Sequence, residues 1–210
     1  MTQLQVPDAA QLRDLAVFAQ RALRLDDGAV IRLRLRNDGL IGAWVSTGLD
    51  VLAARVVVGS LAPADVTCSA EALLRGLESA DESGRIDPGY PMDSAWRGAL
   101  PPETGFNHID DVPAAIVADV ARRGSELARE HAGPQGPPTS LLNQDVLQVS
   151  SPADAVAVPM RCVMALTAMG FMPGAEAEVI RVRARPGWLR IDARFGSVFR
   201  RLGDPLVMLG

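Results

Sequence analysis

Two stretches of the chain alternate arginine with aliphatic residues and add a tryptophan, and their side chains have the most chemistry to offer. In the first, VIRLRLRNDGLIGAWVS from Val30 to Ser46, Arg32, Arg34 and Arg36 share one side of an extended strand, and Trp44 on the returning strand joins them. In the second, VIRVRARPGWLRIDARF from Val179 to Phe195, Arg181, Arg183 and Arg185 are followed on the same side by Trp188, Arg190, Asp192 and Arg194. Guanidinium is a planar, permanently charged fork that binds carboxylate or phosphate, and indole is a stacking plane. The combination suits a protein hot spot, or single-stranded nucleic acid. The expected binding surface is therefore Arg32, Arg34, Arg36, Trp44, Arg181, Arg183, Arg185, Trp188, Arg190 and Arg194. The plain alternative is that acidic segments cover these faces and the guanidiniums pair internally.

The other side of each stretch is apolar. Ile31, Leu33 and Leu35 return as Ile41, Ala43 and Val45, and Ile180, Val182 and Ala184 return as Leu189, Ile191, Ala193 and Phe195. Each stretch thus reads as a β-hairpin, turning at Asn37-Asp38-Gly39 and at Pro186-Gly187, with one face for a core. A helix precedes each one. Asp8 is a good N-cap, Gln11 completes a capping-box pattern, and Leu12, Leu15, Ala19, Ala22 and Leu23 follow at helical spacing. Pro159 opens the other helix, whose stripe is Met160, Val163, Met164 and Thr167. This self-similarity reflects either a duplication or two unrelated hairpins sharing arginine-rich codon usage.

Between the repeats, residues 51–59 read as a third strand and Ser69 caps a helix running to about Ala80. Residues 79–111 are irregular, with a short helix over Asp93 to Leu100. Asp110 or Asp111 is expected to cap a further helix with the apolar line Val112, Ile116, Val120 and Leu127. A stiff connector at 133–138 and a short strand at 146–149 complete the pass. The expected fold is α+β: an antiparallel sheet from two helix-hairpin (α-β-β) pseudo-repeats with helices packed on one face. It is read as one domain, with an N-terminal unit 1–60, a helical and irregular acidic insert 61–138 and a C-terminal unit 139–210.

Composition narrows the function. All 21 basic residues are arginine, so lysine-dependent Schiff-base and Walker-loop chemistry is excluded. The net charge of −4 disfavours wholesale coating of nucleic acid, yet residues 61–119 carry 3 arginines against 11 acids and residues 151–210 carry 8 against 5. Cys68 and Cys162 read as buried apolar residues rather than a disulfide. No zinc or calcium spacing and no cofactor motif is present, so neither metal nor cofactor is expected. The start of the chain shows no secretory pattern, and the apolar span Val156 to Met172 contains Pro159 and Arg161, which argues against a membrane helix and for a cytoplasmic protein.

One further cluster falls in the irregular loop: Tyr90, Trp96, Phe106, His108, Asp110 and Asp111. His108 oriented by Asp110, with Ser94 as nucleophile, would make a hydrolase-like site. Met160, Met164, Met169 and Met172 read as core before they read as a peptide groove. The ranking that results places first a non-catalytic protein-interaction or assembly module, working with a protein partner or as a homodimer through its Arg/Trp faces. A nucleic-acid-binding protein using the same faces is the alternative, and a loop-centred hydrolase stands third.

Overall fold

The computed structural model describes residues 2–131, 137–172 and 178–203. It divides into two compact units, residues 1–48 with 52–103, and residues 104–210 with 49–51. The fold is α+β with antiparallel sheets.

The first unit runs β1 (Gln3–Gln5), α1 (Ala9–Leu25), β2 (Val30–Leu35), β3 (Ile41–Ser46), β4 (Leu52–Val57), β5 (Ser60–Ala62), β6 (Asp65–Ser69), α2 (Ala70–Glu78) and β7 (Arg85–Ile86). Strands β6, β2, β3 and β4 lie side by side in that order, and β5, β1 and β7 form a small second sheet. Asp8 caps α1 as expected, its Oδ1 accepting the Gln11 N–H at 2.8 Å. The Gln11 side chain turns instead to the N–H of Val58, so the reciprocal half of the capping box is absent. Helix α1 buries Leu15, Phe18, Ala19 and Ala22. In the sheet, Leu33 faces Ala43 and Leu35 faces Ile41 on the core side, while Arg32 faces Trp44 and Arg34 faces Gly42 on the other.

The second unit runs β8 (Asn107–Pro113), α3 (Ala114–Glu130), α4 (Thr139–Asn143), β9 (Asp145–Ser150), β10 (Ala155–Pro159), α5 (Met160–Ala168), β11 (Val179–Arg185), β12 (Trp188–Ala193) and β13 (Gly196–Arg201). Its main sheet is ordered β13, β12, β11, β8, and β9 pairs with β10. The repeat is now plain. Helix α1 followed by the meander β2-β3-β4 matches α5 followed by β11-β12-β13. Each meander's first strand gains a further neighbour, β6 or β8, that leads into a helix on the core side.

Several expectations change. Asp110 and Asp111 do not cap a helix: they lie on β8, opposite Val182 and Arg181 of β11. Helix α3 starts only at Ala114, whose N–H bonds the Glu178 carbonyl at 2.8 Å. Its buried face is Ala114, Val117, Val120, Ala121, Gly124 and Ala128, leaving Ile116 and Leu127 exposed. The reason is close packing on α5, where a Cβ added to Gly124 would stand 2.5 Å from the Met160 sulfur. The short helix at 93–100 is a single 3-10 turn, Asp93–Ala95. Phe195, expected inward, lies in the turn after β12 and is 37% exposed. Residues 61–138, expected as an insert, supply β6 and α2 to the first unit and β8 and α3 to the second. Most of the connector expected at 133–138 lies outside the described residues.

The span Val156 to Met172 is strand β10 running into α5, and no helix among the described residues is long and apolar enough to cross a membrane. Met160 and Met169 are core. Arg161 is buried in the second unit, where it donates to the Leu49 carbonyl at 2.9 Å and to Asn143 Oδ1. Both cysteines are buried, which pushes each thiol up to about 12 and leaves no reactive thiolate.

Candidate protein interface on the arginine faces

Strand alternation delivers the arginines of β2 and β11 to the side of each sheet away from the helices, and the carboxylates that meet them come from neighbouring strands. In the first unit Arg32 grips Asp65 of β6 with two hydrogen bonds, Nε–Oδ1 at 2.8 Å and Nη2–Oδ2 at 2.7 Å. Arg34 Nε stands 3.9 Å from the same carboxylate. Arg36 pairs with Asp38 in the hairpin turn at 2.7 Å, and Asp38 also accepts the Leu40 N–H at 3.1 Å. These hydrogen bonds hold the Arg32 and Arg36 guanidiniums above their usual protonation range.

The acidic loop then lies over this face. Asp93 Oδ1 accepts the Thr67 N–H at 2.7 Å, Trp96 places its ring 5.8 Å from the Arg32 guanidinium, and Glu103 accepts the Asn37 N–H at 2.9 Å. Trp44 is only 5% exposed, so it is no stacking plane for a ligand. It packs across Gly42, where an added Cβ would meet the indole nitrogen at 2.8 Å. Alternation assigned Trp44 to the correct face. What removes it from the surface is tertiary cover.

The second unit differs. Arg181 pairs with Asp111 at 3.0 Å, and His108 Nε2 reaches the same carboxylate at 3.0 Å, so both hold the Asp111 carboxyl below its ordinary range, Arg181 more strongly. Farther along, Arg183 and Arg190 share one carboxylate, Asp192, at 3.3 and 2.7 Å. Arg185 donates to the Thr104 carbonyl at 2.7 Å and lies 5.8 Å from the Phe106 ring. Arg190 sits between Phe106 and Phe199, 5.8 and 5.4 Å from their centroids, and the two rings meet edge-on at 5.9 Å. The buried Nε of Arg185 makes no hydrogen bond, and that of Arg183 has only the 3.3 Å ion-pair contact with Asp192, which is too poorly aligned for one. Trp188 faces Arg201 at the end of this surface. Arg194 stands in the turn after β12, paired with Glu178.

Of the ten expected residues, then, Arg32, Arg34 and Arg36 gather on Asp65 and Asp38, and Arg183, Arg185 and Arg190 gather on Asp192 and Phe106. Trp44 is buried, and Arg181 belongs to the Asp111 pair. Sequence reasoning assigned Phe106 to the loop cluster instead of this surface, and missed Phe199 and Arg201. Phe199 carries no alternation signal, because Val198 and Phe199 are both buried, one on each side of β13. The hydrolase-like arrangement does not form. His108 is half exposed and pairs with Asp111, while Asp110 bonds the Asp111 N–H and Ser94 belongs to the 3-10 turn of the first unit. Among the described residues no cluster of three or more His, Cys, Asp or Glu is placed to hold a metal.

Comparison with solved structures shows a shared fold. A putative DNA polymerase III beta subunit from Eubacterium rectale matches with a TM-score of 0.63 at 10% identity, over 97% of this chain and 65% of its own. The DNA polymerase sliding clamp from Bacillus subtilis gives 0.60 at 11%, over 97% and 65%. That from Caulobacter crescentus gives 0.58 at 14%, over 99% and 68%. No curated protein matches the chain. Two family models divide the sequence where the structure does: one described as domain of unknown function DUF8010 matches residues 1–98, and one described as domain of unknown function DUF8185 matches residues 101–205. The second spans half of the chain, which therefore belongs to the DUF8185 family.

Proposed function

We propose that the chain is a non-catalytic assembly module that docks an acidic protein segment on the outer sheet face of its second unit. The observation that carries this reading is that Arg183 and Arg190 share a single carboxylate, Asp192, while Arg185 and Arg190 both lie against Phe106, with Phe199 as further backing. Guanidiniums already immobilised against aromatic rings lose little entropy on binding, and a cluster of three with one carboxylate between them leaves net positive charge for an acidic partner. In the first unit, by contrast, Arg32 and Arg34 of β2 face Asp65 and the following Arg36 pairs with Asp38, with the charges of Asp93 near Arg32 and Glu103 near Arg36. The shared fold agrees with an assembly role, since the matched structures are DNA polymerase sliding clamps. The chain spans about two thirds of their length, and we place it in the cytoplasm as a homo-oligomer or a partner-bound subunit.

DNA is the second reading, favoured by the matched polymerase clamps and by the same arginines. Anisotropy titrations of a labelled duplex separate the two. Phosphate binding weakens by orders of magnitude between about 50 and about 200 mM salt, whereas a desolvated protein interface changes far less. Tight, steeply salt-dependent duplex binding that is lost in Arg185→Glu would replace the protein reading with the DNA one.

A further inference from the structure

A second candidate surface lies in the first unit, beside the Asp93 that also faces Arg32. A cleft of about 590 Å³ is lined by Pro63, Val66, Asp87, Tyr90, Pro91 and Asp93, among others. Its apolar surface is that of Pro63 and Pro91, with the buried Val66 of β6 beneath, and its rim carries two carboxylates and one phenol. Tyr90 is 91% exposed, yet the backbone on either side of it is tied down. On one side, Asp87 to Gly89 press on α2 so closely that a Cβ on Gly76 would stand 2.0 Å from the Asp87 carbonyl oxygen. A Cβ on Gly89, which holds φ +85°, would lie 2.7 Å from that of Ala72. On the other side, the Met92 N–H bonds the Thr67 carbonyl at 2.7 Å, and Asp93 accepts the Thr67 N–H at 2.7 Å. Tyr90 and Pro91 therefore form a ridge anchored at both ends, with an aromatic ring held out in water at the mouth of an apolar cleft.

We propose that this cleft takes an arginine side chain of a protein partner, flanked by apolar residues. Tyr90 offers the ring face on which a guanidinium stacks. Asp87 and Asp93 each spend Oδ1 on a local backbone N–H, at 2.9 and 2.7 Å, which orients the carboxylates and supplies the negative charge. The first-unit segment that holds it, residues 61–103, carries 8 acids against 3 arginines, so its field favours a cation. Apolar neighbours of that arginine would cover Pro63 and Pro91. The site is independent of the arginine face of the second unit.

The test is fluorescence anisotropy with labelled peptides centred on Leu-Arg-Leu, Leu-Lys-Leu and Leu-Gln-Leu. The arginine peptide is expected to bind best, the lysine peptide next, and the glutamine peptide about tenfold more weakly than arginine, the loss of one charge-assisted contact. Tyr90→Ala, a change to an exposed side chain, is expected to weaken the arginine peptide about fivefold. Asp87→Asn keeps the acceptor for the Gly89 N–H and is expected to weaken it by a similar factor. Trp188→Ala with Arg201→Glu should leave it unchanged. Equal affinity for the glutamine peptide, no effect of Tyr90→Ala in a folded variant, or no binding of any peptide overturns the proposal.

Discussion

Arg32 and Asp65 are joined by two parallel hydrogen bonds across adjoining strands, and the other meander repeats the device with Arg181 and Asp111. The arginine is the third residue of a matching Val-Ile-Arg in both strands. Its aspartate comes from the strand that the meander acquires, β6 or β8, so the pair pins that strand in register. The Arg32 and Asp65 side chains are 25% and 38% exposed, so solvent screening keeps their coupling to about 0.5–1 kcal/mol. A double-mutant cycle of Arg32→Ala and Asp65→Ala in urea measures it. A smaller coupling is expected for Arg181 and Asp111, where the arginine is more exposed and one of the two hydrogen bonds is longer, at 3.4 Å.

Acid should weaken the second unit at Asp111. Its carboxyl is held below the ordinary range by Arg181 first and His108 second. A depressed folded-state value means that this stabilisation is complete above the unfolded-state value of about 4 and is lost as the pH falls through the folded-state value. The side-chain carboxyl of Asp111, followed by NMR, should titrate below that of a free aspartate and return toward it in Arg181→Met. An unchanged midpoint in that variant would falsify the assignment of cause.

Much of this fold was legible in local pattern. Strict alternation in β2, β3, β11 and β12 placed the arginines within those strands on their correct side, and Asp8 marked the start of α1. What escaped was non-local. Asp110, Asp111, Val112 and Pro113 have the composition of a helix start, but Asp111 and Val112 lie opposite Arg181 and Ile180 in a strand pair that no short window contains. Alternation sets Trp44 beside the arginines, but whether that sheet face is covered depends on residues 93–103, about fifty positions away. The small-residue face of α3 was hidden for a related reason: Gly124 and Ala128 become core only once Met160 of α5 is packed against the helix.

The two hairpin tryptophans should part company on mutation. Trp44 is buried, so Trp44→Ala is expected to cost about 3–5 kcal/mol in chemical denaturation. Trp188 is only half buried at the end of its strand, and Trp188→Ala should cost about 1 kcal/mol or less while reducing partner binding. Equal costs would show that both rings serve the core.

Gly76→Ala separates packing from helix propensity. Alanine gains about 1 kcal/mol over glycine inside a helix. Here its Cβ would lie 2.0 Å from the Asp87 carbonyl oxygen, a backbone atom that moves only with the loop. The expected net result is a lower melting temperature, reflecting a loss of about 1–3 kcal/mol. The displaced Asp87 should also weaken the arginine peptide. A stabilised variant would show that the loop is not anchored on α2.

The most direct test of the assembly reading is quantitative co-purification with the full chain, comparing the wild type with the double variant Trp188→Ala, Arg201→Glu, after nuclease treatment. Both substitutions lie on opposed residues at the end of the second unit's outer face, and a matching melting temperature confirms that the fold is intact. Recovery of a specific protein with an acidic segment by the wild type, and its loss from the variant, is the expected result. Identical recovery by both, or recovery of nucleic acid alone before nuclease treatment, contradicts it.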